Sequence, residues 1–106
     1  MQGQDAARDA LKEKARARRE EEDGRTAGLR NELEDVYGDA LALGEELDLL
    51  AEEGTQVGKA KARVERAQRL YEEADAAIGA GDLVQAKAKT KAARQMVDAA
   101  RSSIGE

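Results

Sequence analysis

Apolar residues recur at helical intervals along most of the chain. Leu29, Leu33, Val36, Ala40, Leu43, Leu47 and Leu50 follow one another at spacings of 4, 3, 4, 3, 4 and 3 residues. That is a heptad seam of just over three repeats, the pattern that lays one apolar stripe along an α-helix. Tyr37, Gly44 and Ala51 lie beside the stripe and widen it, whereas Leu41 and Leu49 lie off it. A second covered face is expected on this helix, which suits a member of a bundle better than one strand of an isolated pair. Gly54, after Glu52 and Glu53, is placed to end the helix in a left-handed turn.

Thr55 then reads as the N-cap of a second patterned helix. Val57, Val64, Tyr71 and Ile78 recur every seven residues, with Ala60, Ala67 and Ala74 between them. The same arrangement returns after a shift of 26 residues, where Leu83, Thr90, Val97 and Ile104 alternate with Ala86, Ala93 and Ala100. Large residues alternating with alanine let two helices approach closely, because alanine adds no bulk at the contact. The connector Gly79-Ala80-Gly81-Asp82 is short, which predicts antiparallel neighbours. Gly81 can take the left-handed conformation, and Asp82 can cap the next helix with Gln85 three residues on.

Residues 1–24 differ. Leu11 is their only large aliphatic side chain, and the basic stretch Lys12–Arg19 is followed by Glu20-Glu21-Glu22-Asp23. The composition favours helix but offers little to bury. Gly24 and Gly28 predict a break or hinge. The expected fold is all-α: a charged, solvated helical extension over 1–24, then a coiled-coil-like three-helix bundle over 25–106. Its helices are expected at about 29–53, 55–79 and 82–104, matched in length at roughly 33–37 Å each.

The hairpin also resembles a single tetratricopeptide-like repeat over residues 67–100. Leu70, Ala74, Gly81-Asp82, Ala86 and Ala93 stand where that repeat places its large residue, its small residue, its turn and its two alanines. Ala77 and Thr90 depart from the aromatic residues usual at their positions, and no proline closes the unit. The resemblance implies a groove able to hold a peptide.

Composition narrows the chemistry. The 106 residues contain no Cys, His, Pro, Phe or Trp. That removes disulfides, thiolate chemistry, the usual general base and the commonest transition-metal ligand. Thr26, Thr55, Thr90, Ser102 and Ser103 are the aliphatic hydroxyls, and none sits in an activating motif. The paired carboxylates Glu45-Glu46, Glu52-Glu53 and Glu72-Glu73 lack the histidines that accompany them in dicarboxylate metal bundles. No enzyme activity, cofactor, metal or small-molecule substrate is expected. Without a bilayer-spanning apolar run or a leader-like N-terminus, a cytoplasmic protein, or one assembled into a particle made there, is the expectation.

Charge is distributed unevenly, although the net value is only -5. Residues 20–53 carry 13 acidic and 2 basic side chains, whereas residues 8–19 carry 6 basic and 2 acidic ones. Residues 85–101 hold Lys87, Lys89, Lys91, Arg94 and Arg101 against Asp98 alone. The expected consequence is that the acidic helix lies beside the basic last helix, or beside the basic N-terminal segment of a neighbour. Lys87, Arg94 and Arg101, seven residues apart, flank the last seam as partner-selecting positions do. Asp75 is expected to face Lys87 across the hairpin. The acidic helix would repel phosphate, and its polar face lacks the basic character that membrane surfaces favour, so neither nucleic acid nor membrane is an expected partner.

The core seam is therefore read as Leu29, Leu33, Val36, Leu43, Leu47, Leu50, Val57, Val64, Tyr71, Ile78, Leu83, Val97 and Ile104. Leu41, Leu49, Lys87, Arg94 and Arg101 are candidate interface positions. Leucine, isoleucine and valine total only 17 residues, and a thin alanine-rich core buries little area. The expected function is structural: helix–helix association with a protein partner, as a homo-oligomer or as a subunit of a complex. The alternative is a small helical adaptor or chaperone that holds a peptide or partner helix in a groove.

Overall fold

The structure, a computed structural model, describes residues 24–106 in full and residues 2–23 only as part of the first helix. Three helices follow in order: α1 (Gln2–Glu52), α2 (Gly58–Gly79) and α3 (Leu83–Ser102). All three touch one another, and α2 packs most extensively on α3. The fold is an all-α three-helix bundle with no strand among the described residues. Among the described residues, no helix is long and apolar enough to cross a membrane.

No break occurs at Gly24 or Gly28, and α1 runs unbroken for 51 residues. A helix interior tolerates glycine at a cost of about 1 kcal/mol each, and the strong helix formers on both sides carry the hydrogen-bond ladder through. The three helices are therefore not matched: α2 and α3 have 22 and 20 residues. The reading of residues 1–24 as a solvated extension lies outside the described side chains.

Both turns form as patterned, through the same device. Gly54 has φ +90°, its N–H donates to the Ala51 carbonyl, and the Thr55 N–H donates to the Leu50 carbonyl. Gly81 has φ +78°, its N–H donates to the Ile78 carbonyl, and the Asp82 N–H donates to the Ala77 carbonyl. Each set satisfies helix-end carbonyls that lack a partner within the helix. The Asp82 carboxylate accepts the Gln85 N–H at 3.1 Å, as the capping pattern predicts. Thr55, in contrast, is no N-cap. It is consumed by the turn that ends α1, and α2 begins after Val57 without a side-chain cap.

The seam residues are buried or half-buried. Leu33, Val36, Leu43, Leu47, Val57, Val64, Ile78 and Val97 are buried, while Leu29, Leu50, Tyr71, Leu83 and Ile104 pack at the margins. Leu70 enters the core beside Tyr71, which the seven-residue interval had favoured. Tyr71 instead stacks on Tyr37 of α1, with ring centroids 4.3 Å apart. The core forms two clusters, a large one around Leu43, Leu47, Val64 and Val97 and a small one around Leu33, Ala74, Ile78 and Ala86.

Thr90 lies between the two clusters on α3. It is 1% exposed, and its hydroxyl donates to the Ala86 carbonyl at 2.7 Å. That carbonyl already has the ordinary helical N–H, so replacing Thr90 with valine leaves no buried polar group unpaired. The variant Thr90→Val is expected to unfold in urea within about 1 kcal/mol of the parent, on the stabilising side. A loss above about 2 kcal/mol would mean that the hydroxyl holds the two clusters together.

The far end of the bundle is closed by polar contacts. The Arg63 guanidinium of α2 donates to the Ala99 carbonyl at 3.0 Å and to the Ser103 hydroxyl. Ser103, fully buried, itself donates to Ala99 at 2.6 Å. Arg63 thus places a cation at the negative end of the α3 dipole and satisfies a terminal carbonyl. Beside it, the Gly105 N–H donates to the Gln56 carbonyl at 2.8 Å, tying the C-terminal segment to the α1–α2 link.

Candidate interaction surface

Intrachain ion pairs consume part of the charge asymmetry. Arg94 of α3 donates to Asp39 of α1 at 2.7 Å, so the acidic helix does lie beside the basic one. Lys61 of α2 reaches Asp48 of α1 at 2.9 Å, and Lys89 reaches Glu73 across the hairpin at 3.1 Å. Asp75 pairs with Arg30 of α1 at 3.2 Å and not with Lys87. The α1 helix lies on that side of α2 and brings a guanidinium to Asp75 first. All four pairs are largely solvated, so each contributes at most about 1 kcal/mol and serves mainly to orient the helices.

What these pairs leave over is the outward face of α1. Between residues 31 and 53 the helix carries nine acidic side chains and no basic one. Asp39 and Asp48 are the two that find a cation within the described residues. Glu34, Asp35, Glu45, Glu46, Glu52 and Glu53 are all exposed. Leu41 and Leu49 stand among them, 43% and 63% exposed. Leu41, Glu45, Leu49 and Glu52 follow at intervals of 4, 4 and 3, which puts them on one side of the helix. This side points away from the core positions Leu43 and Leu47, which are fully buried.

Among the described residues, shallow grooves lie between the helices. One, of about 390 Å³, runs between α1 and α2 past Leu41, Gly44, Asp48, Lys61, Val64 and Gln68. Another, of about 410 Å³, lies where α1 passes the α2–α3 turn and is lined by Gly24, Gly28, Leu29, Leu83, Val84 and Lys87. Val84 is 80% exposed, and the heptad reading missed it because it sits one place off the Leu83 seam. Of the candidate interface positions, Leu41, Leu49, Lys87 and Arg101 are exposed, while Arg94 is half-buried in its pair with Asp39. Arg94 is turned to Asp39 of α1, whereas Leu41 and Leu49 lie on the outward side of that helix.

The carboxylates of the outward α1 face are solvated, and among the described residues no group of three or more metal-ligating side chains is clustered. In comparisons with known proteins, the chain has no significant match to any family model, curated protein or solved structure.

Proposed function

We propose that this chain is a non-enzymatic assembly element that works by helix–helix, coiled-coil-like association through the outward face of α1. The observation that carries the reading is the pair Leu41 and Leu49, exposed within a run of carboxylates of which only Asp39 and Asp48 find a cation among the described residues. An isolated bundle with so few large aliphatic residues gains by covering them. A leucine stem removed from water contributes on the order of 1–2 kcal/mol.

Sedimentation equilibrium over a concentration series, with circular dichroism on the same samples, tests the reading. A defined oligomer of the 11.4 kDa chain is expected. The double variant Leu41→Gln, Leu49→Gln keeps the charge and the helix propensity. It is expected to weaken association about tenfold or more, since each 1.4 kcal/mol is a factor of ten. An unchanged dissociation constant would remove both leucines from the interface.

A second reading is favoured by one observation, the apolar groove beside Val84 and Leu83. There the chain would be an adaptor or small chaperone holding a peptide or partner helix, as the tetratricopeptide-like resemblance of the hairpin implies. A cooperative monomer at every concentration favours this reading over self-assembly.

A further inference from the structure

We infer that the occupant of the acidic face of α1 is the basic N-terminal stretch of a second copy, in an antiparallel two-fold pair of α1 helices. The inference rests on the assembly reading and names its partner. Its starting point is the continuity of α1. Residues 8–19 carry Arg8, Lys12, Lys14, Arg16, Arg18 and Arg19 against Asp9 and Glu13. They stand on the same unbroken helix as Glu45, Glu46 and Glu52. At 1.5 Å per residue the two stretches are about 40 Å apart along the axis. A hinge at Gly24 or Gly28 would let them fold together, but no hinge exists, so the complement must come from another molecule.

The helix is self-complementary when two copies run antiparallel with Glu32 at the centre, where residues level with each other have numbers that sum to 64. Lys12 is then level with Glu52, Arg16 with Asp48, Arg18 with Glu46 and Arg19 with Glu45. Arg30 is level with Glu34, whereas Arg25 and Asp39 stand on the hairpin side, where Asp39 holds Arg94, and take no part. The acidic turn Glu20–Asp23 is level with the uncharged Leu41–Gly44, and Ala15 is level with Leu49. The single like-charge meeting is Glu32 with its own copy. Two-fold symmetry repeats every match, as an isologous interface requires. A parallel pair would instead set acidic stretch against acidic stretch. Exposed like charges at that spacing disfavour association, whereas complementary flanking charges select partner and orientation. The hairpins stay clear, since α2 and α3 occupy the opposite side of each α1.

Two charge-reversal variants of the full chain test this. One carries Arg16→Glu, Arg18→Glu and Arg19→Glu. The other carries Glu45→Lys, Glu46→Lys and Glu52→Lys, positions that are exposed and outside the four intrachain pairs. Sedimentation equilibrium is expected to give a closed dimer for the parent and at least about tenfold weaker self-association for each variant. An equimolar mixture of the two variants is expected to restore the dimer, because both halves of the hetero-pair are again opposite in sign. The parent dimer is also expected to weaken as salt rises from 0.05 to 0.5 M, by screening over a Debye length that falls below about 5 Å; this arm needs no variant.

An oligomer that neither variant weakens, or that the mixture fails to restore, overturns the antiparallel pairing and leaves the assembly reading standing. Growth without closure beyond the dimer does the same. A parent that stays monomeric at every concentration overturns both.

Discussion

Replacing Leu43 with alanine is expected to cost about 3 kcal/mol of stability, whereas the same substitution at Leu41, two residues away, should cost the monomer less than about 1 kcal/mol. Both leucines lie in the middle of α1 and have the same helix propensity, so backbone effects cancel in the comparison. They differ in what surrounds them. Leu43 has no exposed area and belongs to the large cluster with Leu47, Val64 and Val97, whereas Leu41 is 43% exposed. Removing three carbons at Leu43 forfeits their transfer free energy and leaves a cavity that close-packed neighbours fill only in part. A domain of this size has roughly 5–15 kcal/mol in total, so the loss should lower the melting temperature by about 10 °C or more. Urea unfolding of both variants at a concentration where the parent is monomeric checks the contrast. A cost below about 1 kcal/mol at Leu43 would mean that the side between α1 and the hairpin is not packed to native density.

The elements of the fold that were legible in the sequence are those set by local physics. The 4-3 spacing from Leu29 to Leu50 places an apolar stripe on a helix whatever the helix packs against. Gly54 and Gly81 end α1 and α2 because only glycine takes φ near +80° without strain, and both positions have it. Asp82 caps α3 through the Gln85 N–H. The alanine alternation declares a close hairpin. Elsewhere the outcome depended on competition. Gly24 and Gly28 have the residue type of a hinge, but no close contact bends α1 there, since a Cβ at either position would meet nothing within 4 Å. Thr55 has the chemistry of an N-cap, yet its N–H closes the turn after α1 and α2 starts only after Val57, two residues too late for its hydroxyl to cap. Asp75 could reach either neighbouring helix, and only the three-dimensional placement of α1 gave it to Arg30.

The interaction surface divides in the same way. Leu41 and Leu49 are visible from the sequence as leucines outside the seam, and they are exposed. Lys87, Arg94 and Arg101 share a seven-residue spacing, but that spacing does not say which neighbour each one meets. Arg94 meets Asp39 inside the chain. Val84 gives no periodic signal, and its exposure beside the α2–α3 turn is a property of where α1 passes. The self-complementarity of α1 was hidden by the expected hinge. Only an unbroken helix makes the distance between its basic and acidic stretches a fixed quantity.

Enlarging the alanine seam of the hairpin should be nearly as damaging as emptying the core. Ala60, Ala67 and Ala74 on α2 face the same buried layer as Ala86, Ala93 and Ala100 on α3, and all six are at most 1% exposed. Alanine at this spacing lets α2 and α3 approach at the short end of the usual 8–10 Å interaxial range. Leucine at Ala93 adds three carbons where the partner backbone already stands, so α3 must move away or the side chain must leave its rotamer. Overpacking of this kind costs about 1–3 kcal/mol. Helix propensity is no confounder, because leucine is close to alanine as a helix former. The exposed Ala76 supplies the control: Ala76→Leu on α2 should change stability by less than about 0.5 kcal/mol. Because α3 also carries Arg94 to Asp39, displacement of α3 should weaken that pair, and a pair solvated at this level adds little to the loss. Urea unfolding of Ala93→Leu and Ala76→Leu separates the two effects. If Ala93→Leu proved more stable than the parent, the seam would hold unused space, and the closeness of α2 to α3 would have to come from something other than alanine.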